Sequence, residues 1–124
     1  MSRILVVDDN AVNLDLMLYL LRSFGHDASG CADGLSGLQA ALSGDFAIVL
    51  TDILMPGIDG YEFARRFKSE PNLSSVPLVA VTALAMSGDR ERITEGGFDG
   101  YIPKPIEPRT FVAQVEGFLG RDGH

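Results

Sequence analysis

Residues 4–25 read Ile4-Leu5-Val6-Val7-Asp8-Asp9-Asn10, followed by AVNLDLMLYLLRSFG from Ala11 to Gly25. The first four residues are a continuous apolar run of strand length, the kind that is covered on both faces in a parallel sheet. Two aspartates stop the run and Asn10 supplies an N-cap. Leu14, Met17, Leu18 and Leu21 then recur at the i, i+3, i+4, i+7 spacing of a helix over Ala11–Phe24, for which Gly25 is a natural stop. The same sequence of strand, polar turn and helix repeats along the chain. Strand-length runs follow at Ala28–Cys31 (weak), Phe46–Leu50, Leu78–Val81 and, shorter, Tyr101-Ile102. Helices are expected over Gly34–Leu42, capped by Asp33 and burying Leu35, Leu38 and Leu42, and over Gly60–Ser69, capped by Asp59 and ending before Pro71. Two more are expected over Ser87–Glu95, stopped by Gly96-Gly97, and over Pro108–Leu119, with proline in the first turn and Phe111, Val115, Phe118 and Leu119 on one face. The tail, Gly120 to His124, is expected to fray. Five alternating pairs with right-handed crossovers predict a doubly wound α/β fold, a five-stranded parallel sheet with helices on both faces.

The composition excludes several classes of function. With 124 residues, 46% hydrophobic and 22% charged, the chain suits one globular domain over 1–124 and not a disordered segment. A single cysteine, Cys31, cannot form an internal disulfide; it reads as core or strand edge, and His26 and His124 read as surface. No apolar run approaches the ~20 residues of a membrane span, and Asp8-Asp9 interrupt the first run too early for a signal peptide. A cytoplasmic protein with no membrane insertion is therefore expected. Ten basic against 17 acidic residues give a net charge of −7, and no basic cluster exceeds Arg65-Arg66, so direct nucleic-acid contact is not expected.

In a parallel sheet of this kind every strand ends on the same edge, where ligands bind. The residues that follow the strands are Asp8 and Asp9, Asp52, Thr82 and Lys104. Each alone reads as a cap, a strand-end hydroxyl or a solvated charge; their joint placement on one rim carries the argument. Carboxylates ~4 Å apart repel by about 4 kcal/mol per pair at an effective dielectric of ~20, so a cation belongs among them. All the donors are hard oxygens, which favours Mg²⁺ and, with it, phosphoryl chemistry. Asp52 is the candidate nucleophile, with Lys104 neutralising developing charge and Thr82 donating a hydrogen bond. The loop Met55-Pro56-Gly57-Ile58-Asp59-Gly60 directly after Asp52 would aim backbone N–H groups at an anion held there.

Asp8-Asp9, Asp52 with Met55-Pro56-Gly57 and Asp59-Gly60, Thr82-Ala83 and Lys104-Pro105 together resemble the receiver domain of two-component response regulators, the CheY-like family, over essentially the whole chain. The resemblance implies that a histidine kinase or histidine phosphotransfer protein donates a phosphoryl group to Asp52. It implies Mg²⁺ held by Asp9, Asp52 and the backbone carbonyl of Leu54, with Asp8 behind them, and output through a downstream protein target. It further implies that Thr82 and Tyr101 move as the switch, that Lys104-Pro105 is cis, and that the strand order is 2-1-3-4-5. Val79 to Met86, Gly88-Asp89, Gly96-Gly97, Lys104-Pro105-Ile106 and Asn13 are similar to single-domain regulators of the DivK type and to receivers of hybrid kinases. Met1 opening directly into the first strand favours a stand-alone protein, although a receiver cut from a longer chain reads the same. Related receivers offer the first helix to the donor, which makes Leu16 a candidate docking residue. Two residues after Asp52 and two after Thr82 stand Leu54 and Leu84, where many members carry polar groups that touch the hydrolytic water; slow self-dephosphorylation is expected.

Two other functions fit the same fold. A Mg²⁺-dependent hydrolase of the haloacid-dehalogenase kind needs a second acid two residues after its nucleophile, where Leu54 stands. A flavodoxin-like cofactor carrier needs a first loop that cradles phosphate, which Asp8-Asp9-Asn10 would repel.

Overall fold

Side chains alternate along a strand, so a run that is apolar at every position must be covered on both faces. The computed structural model, which describes residues 2–83 and 87–120, covers it in that way. Its elements are β1 (Arg3–Val7), α1 (Ala11–Ser23), β2 (Asp27–Cys31), α2 (Gly34–Ser43), β3 (Ile48–Thr51), α3 (Gly60–Ser69), β4 (Leu78–Thr82), α4 (Ser87–Glu95), β5 (Gly100–Pro103) and α5 (Phe111–Gly120). The strands form one parallel sheet in the order β2-β1-β3-β4-β5, as expected. Ile4 and Val6 of β1 face one apolar layer, built with Met17, Leu18 and Leu21 of α1 and Phe111, Val112 and Val115 of α5. Leu5 and Val7 face the other, built with Leu38 of α2, Phe63 and Phe67 of α3 and Ile93 of α4. Two helices therefore lie on one side of the sheet and three on the other.

The expected caps are in place. Asn10, Asp33 and Asp59 accept hydrogen bonds from the backbone N–H groups of Asn13, Ser36 and Glu62, and α1 gives way to Gly25 at φ +87°.

Four expectations need correction. Leu35 and Leu42 are 54% and 50% exposed, because α2 presents Gly34, Gly37, Leu38 and Ala41 to the core. Its small residues let it approach closely: a Cβ on Gly37 would lie 2.7 Å from Val7. The helix α5 starts at Phe111 and not Pro108, because the Glu107 carbonyl accepts from both Thr110 and Phe111 N–H and holds residues 108–110 as a turn. Phe46 precedes β3; its ring packs beneath the Arg3 guanidinium, 4.9 Å away. His26 is not a surface side chain: its ring is mostly buried, taking a hydrogen bond from Ser2 N–H on Nδ1 and contacting Glu116 with Nε2 at 2.8 Å. Leu84, the chain from Arg121 on and His124 lie outside the described residues.

Candidate functional site

Backbone hydrogen bonds between neighbouring strands hold the rim together. Asp8 N–H donates to Cys31 O, Asp52 N–H to Val7 O, and Lys104 N–H to Thr82 O, at 2.9 to 3.0 Å. These bonds join the end of β1 to those of β2 and β3 and the end of β4 to that of β5, the β3–β4 ladder completes the row, and the residues singled out in the sequence come together along it. One carboxylate oxygen from each of Asp8, Asp9 and Asp52 falls in a group within 4.8 Å. Asp8 and Asp52 are buried and Asp9 is exposed, so the cluster opens to solvent on the Asp9 side. Thr82 is fully buried at the end of β4.

Lys104 crosses from the end of β5 to the middle of the rim. Its Nζ lies 2.8 Å from Asp52 Oδ2 and 2.9 Å from Asp8 Oδ2. Burial works against the Lys104 charge. Hydrogen bonding to Asp52 and the attraction of both aspartates outweigh that effect and hold its pKa above the ordinary lysine value. The lysine immediately precedes the Lys104-Pro105 bond, which is cis as the resemblance implied.

The remaining oxygens are supported by backbone. Asp52 Oδ1 accepts from Ile53 N–H at 2.7 Å and Leu54 N–H at 3.4 Å, and Asp8 Oδ1 accepts from Asn10 N–H at 2.9 Å. The turn after Asp52 closes because Gly60 N–H donates to Ile53 O at 2.8 Å. That approach requires glycine: a Cβ on Gly60 would lie 2.5 Å from Ile53 Cα and 2.7 Å from Asp52 O, both backbone atoms.

The donor set fits a hard divalent cation. Asp8 Oδ2 is buried, and among the described residues it has the Lys104 ion pair and no hydrogen bond. Three carboxylates against one ammonium leave negative charge uncompensated, and every candidate donor is oxygen. Asp9 and Asp52 are the carboxylates with access to an ion, and the Leu54 backbone stands two residues after Asp52.

Tyr101 and Leu16 are further from the cluster. Tyr101 is half-buried on β5 against the layer of α3 and α4. Leu16 is half-buried on α1, on the same stripe as Val12 and Tyr19, which are 77% and 69% exposed. Sequence reading missed two contacts. The guanidinium of Arg90 lies 5.5 Å from the Tyr101 ring centroid, and His26 bridges to Glu116 across 90 residues of chain. Neither leaves a local pattern, because each joins elements that are distant in sequence.

Among the described residues no helix is long and apolar enough to cross a membrane. A family model described as the response regulator receiver domain matches residues 4–116. The polar-differentiation response regulator DivK of Brucella ovis is 35% identical over 117 residues, which cover 94% of this chain and 95% of that protein. The receiver domain of the sensor histidine kinase PA1611 of Pseudomonas aeruginosa, crystallised with a magnesium ion coordinated in its active site cleft, is similar with a TM-score of 0.88 and 32% identity over 96% of this chain and 98% of that one. Chemotaxis regulator CheY4 of Vibrio cholerae shares the fold at a TM-score of 0.91 and 23% identity, covering 95% and 98% of the two chains. A parallel sheet in the order 2-1-3-4-5 with an acidic rim, a family match along nearly its whole length and a DivK relative of equal extent lead to one conclusion: the chain belongs to the response regulator receiver domain family, the phosphoacceptors of two-component signalling.

Proposed function

We propose that residues 1–124 act as one cytoplasmic receiver in which Asp52 is the phosphoacceptor, with a histidine kinase or histidine phosphotransfer protein as donor and a protein as downstream target. The observation that carries this reading is the convergence of Asp8, Asp9 and Asp52 on one spot with the Lys104 ammonium against two of them. An Asp52 carboxylate oxygen forms the new bond to phosphorus while the phosphorus–nitrogen bond of the donor's phosphohistidine breaks, its electron pair leaving with the imidazole. Bound Mg²⁺ supplies neutralisation of the phosphoryl oxygens and a template for their approach. Asp9, Asp52 and the Leu54 backbone carbonyl are the groups that would hold it, with Asp8 behind them. Lys104 is already oriented on Asp52 and meets the added charge without reorganisation. Ile53 and Leu54 N–H groups orient the acceptor carboxylate. Thr82 and Tyr101 form the switch, because new acceptor oxygens on Asp52 favour a state in which Thr82 also donates to them.

The test is labelling with acetyl phosphate and with a phosphohistidine donor. The parent takes one phosphoryl group in Mg²⁺ and none in EDTA, and Asp52→Asn takes none from either donor. Stoichiometric label on Asp52→Asn, or full labelling in EDTA, overturns the assignment.

A further inference from the structure

Two arginines on α4 each cover a tyrosine ring on a neighbouring element. The Arg92 guanidinium lies 5.1 Å from the ring centroid of Tyr61 on α3, and that of Arg90 lies 5.5 Å from Tyr101 on β5. Both distances are within the ~6 Å reach of a cation–π attraction. The two contacts have different surroundings. Tyr61 already packs edge-on against Phe98, with centroids 6.3 Å apart, so Arg92 braces a ring the core holds anyway. Tyr101 is half-buried and borders a surface groove with Gln114, Gly117 and Phe118. It sits one strand position before Ile102, which pairs with Val81, the residue preceding Thr82. The Tyr101 ring therefore has space on one side and a cation on its face.

We propose that Arg90 is a positioning residue of the switch: by covering the Tyr101 ring it favours the half-buried position described above, so that a change which moves the Tyr101 ring away from Arg90 must give up this contact. The proposal rests on the reading of Asp52 as phosphoacceptor and Tyr101 as a moving residue. Its size follows from the contact. An attraction of this kind at a half-exposed site weighs a two-state equilibrium by roughly two- to fivefold. Removing it raises the population of the other state by that factor, and a ligand selective for that state gains the same factor in apparent affinity. Arg90 then sets how much phosphorylation is needed to throw the switch.

Beryllofluoride with Mg²⁺ serves as the probe, and fluorotyrosine ¹⁹F NMR reports on the ring. The chain has three tyrosines, so each signal is assignable by a Tyr→Phe variant. In Arg90→Gln, the beryllofluoride concentration for half-conversion is expected to fall two- to fivefold. The Tyr101 signal of the unliganded variant is expected to move toward its beryllofluoride position. Arg90→Lys, which keeps a cation, stays close to the parent, and Arg92→Gln leaves the midpoint unchanged. In a Tyr101→Leu background, with conversion followed by amide resonances near Asp52, Arg90→Gln has no further effect; this cycle separates the ring contact from anything else Arg90 touches. A parent whose Tyr101 responds while Arg90→Gln keeps the parental midpoint overturns the proposal alone. So does an Arg90→Gln effect that persists in Tyr101→Leu. A Tyr101 signal that stays put in the parent at saturating beryllofluoride overturns the switch reading and the proposal with it.

Discussion

Replacing Asp9 by asparagine should make the protein more stable and less able to use Mg²⁺. Asp9 is the exposed member of a carboxylate group whose ligand atoms lie within 4.8 Å of one another, and the Lys104 ammonium is committed to the other two members. At 4.8 Å a pair of like charges costs about 0.9 kcal/mol in a water-like medium and about 3.5 kcal/mol at an effective dielectric of ~20. Exposure puts Asp9 near the lower limit. Two such repulsions, partly offset by attraction to Lys104, leave a penalty of about 1 kcal/mol. Asp9→Asn removes it with little change of shape, so urea unfolding in EDTA should give a variant about 1 kcal/mol more stable than the parent at an unchanged m value. Added Mg²⁺ reverses the order. An ion that binds only the folded state contributes about 2.7 kcal/mol at 100 times its dissociation constant, and the parent, with its full donor set, gains more of this than the variant. A variant no more stable than the parent in EDTA would refute the repulsion argument. Equal stabilisation of both proteins by Mg²⁺ would show that Asp9 is not a metal ligand.

Three further perturbations test other parts of the molecule. Hydrogen bonds from Arg65 and Arg66 hold the Glu62 carboxyl down at about 2, so its NMR titration should have a midpoint there and rise toward the ordinary 4.5 when both arginines are replaced by alanine. Because the folded value is the lower one, any stability from this exposed network is present above the ordinary carboxyl pKa and fades as pH falls toward 2; a midpoint indifferent to the arginines would sink the assignment. Leu54, 59% exposed beside Asp52, has no polar group to hold a hydrolytic water, so Leu54→Asn should shorten the lifetime of the phosphorylated state by about fivefold, the kinetic equivalent of one ~1 kcal/mol hydrogen bond. An unchanged decay after donor removal rejects this. Leu16→Asp should slow transfer from a phosphohistidine donor and leave acetyl phosphate labelling intact, whereas equal loss with both donors would mark Leu16 as core.

The fold was legible because its strands are apolar at every position and its helices begin at side chains that cap them. Ile4 to Val7 can only be read as a strand covered on two faces, and Asn10, Asp33 and Asp59 mark helix starts by chemistry local to each turn. The rim was legible for a related reason: in a parallel sheet, position after a strand is also position in space. What escaped the sequence was decided by partners far along the chain. Leu35 and Leu42 have the right spacing for a core face, but α2 turns its glycines inward against Val7 and Ile58, and no count of leucines reports how close two backbones can come. His26 is covered because Glu116 and Ser2 reach it. The start of α5 depends on a carbonyl, that of Glu107, which any residue type would offer.

The sheet stands between the two apolar layers, and this bears on traffic between partners. The stripe of Val12, Leu16 and Tyr19 belongs to the layer of α1 and α5, whereas α4, with Arg90 beside Tyr101, belongs to the layer of α2 and α3. A partner seated on α1 and another seated on α4 would stand on opposite sides of a five-stranded wall. Neither needs to leave for the other to bind. If donor and reader divided the faces in this way, loading and read-out could overlap in time within a single ternary assembly, and the surfaces that select the two partners would be free to drift apart in evolution.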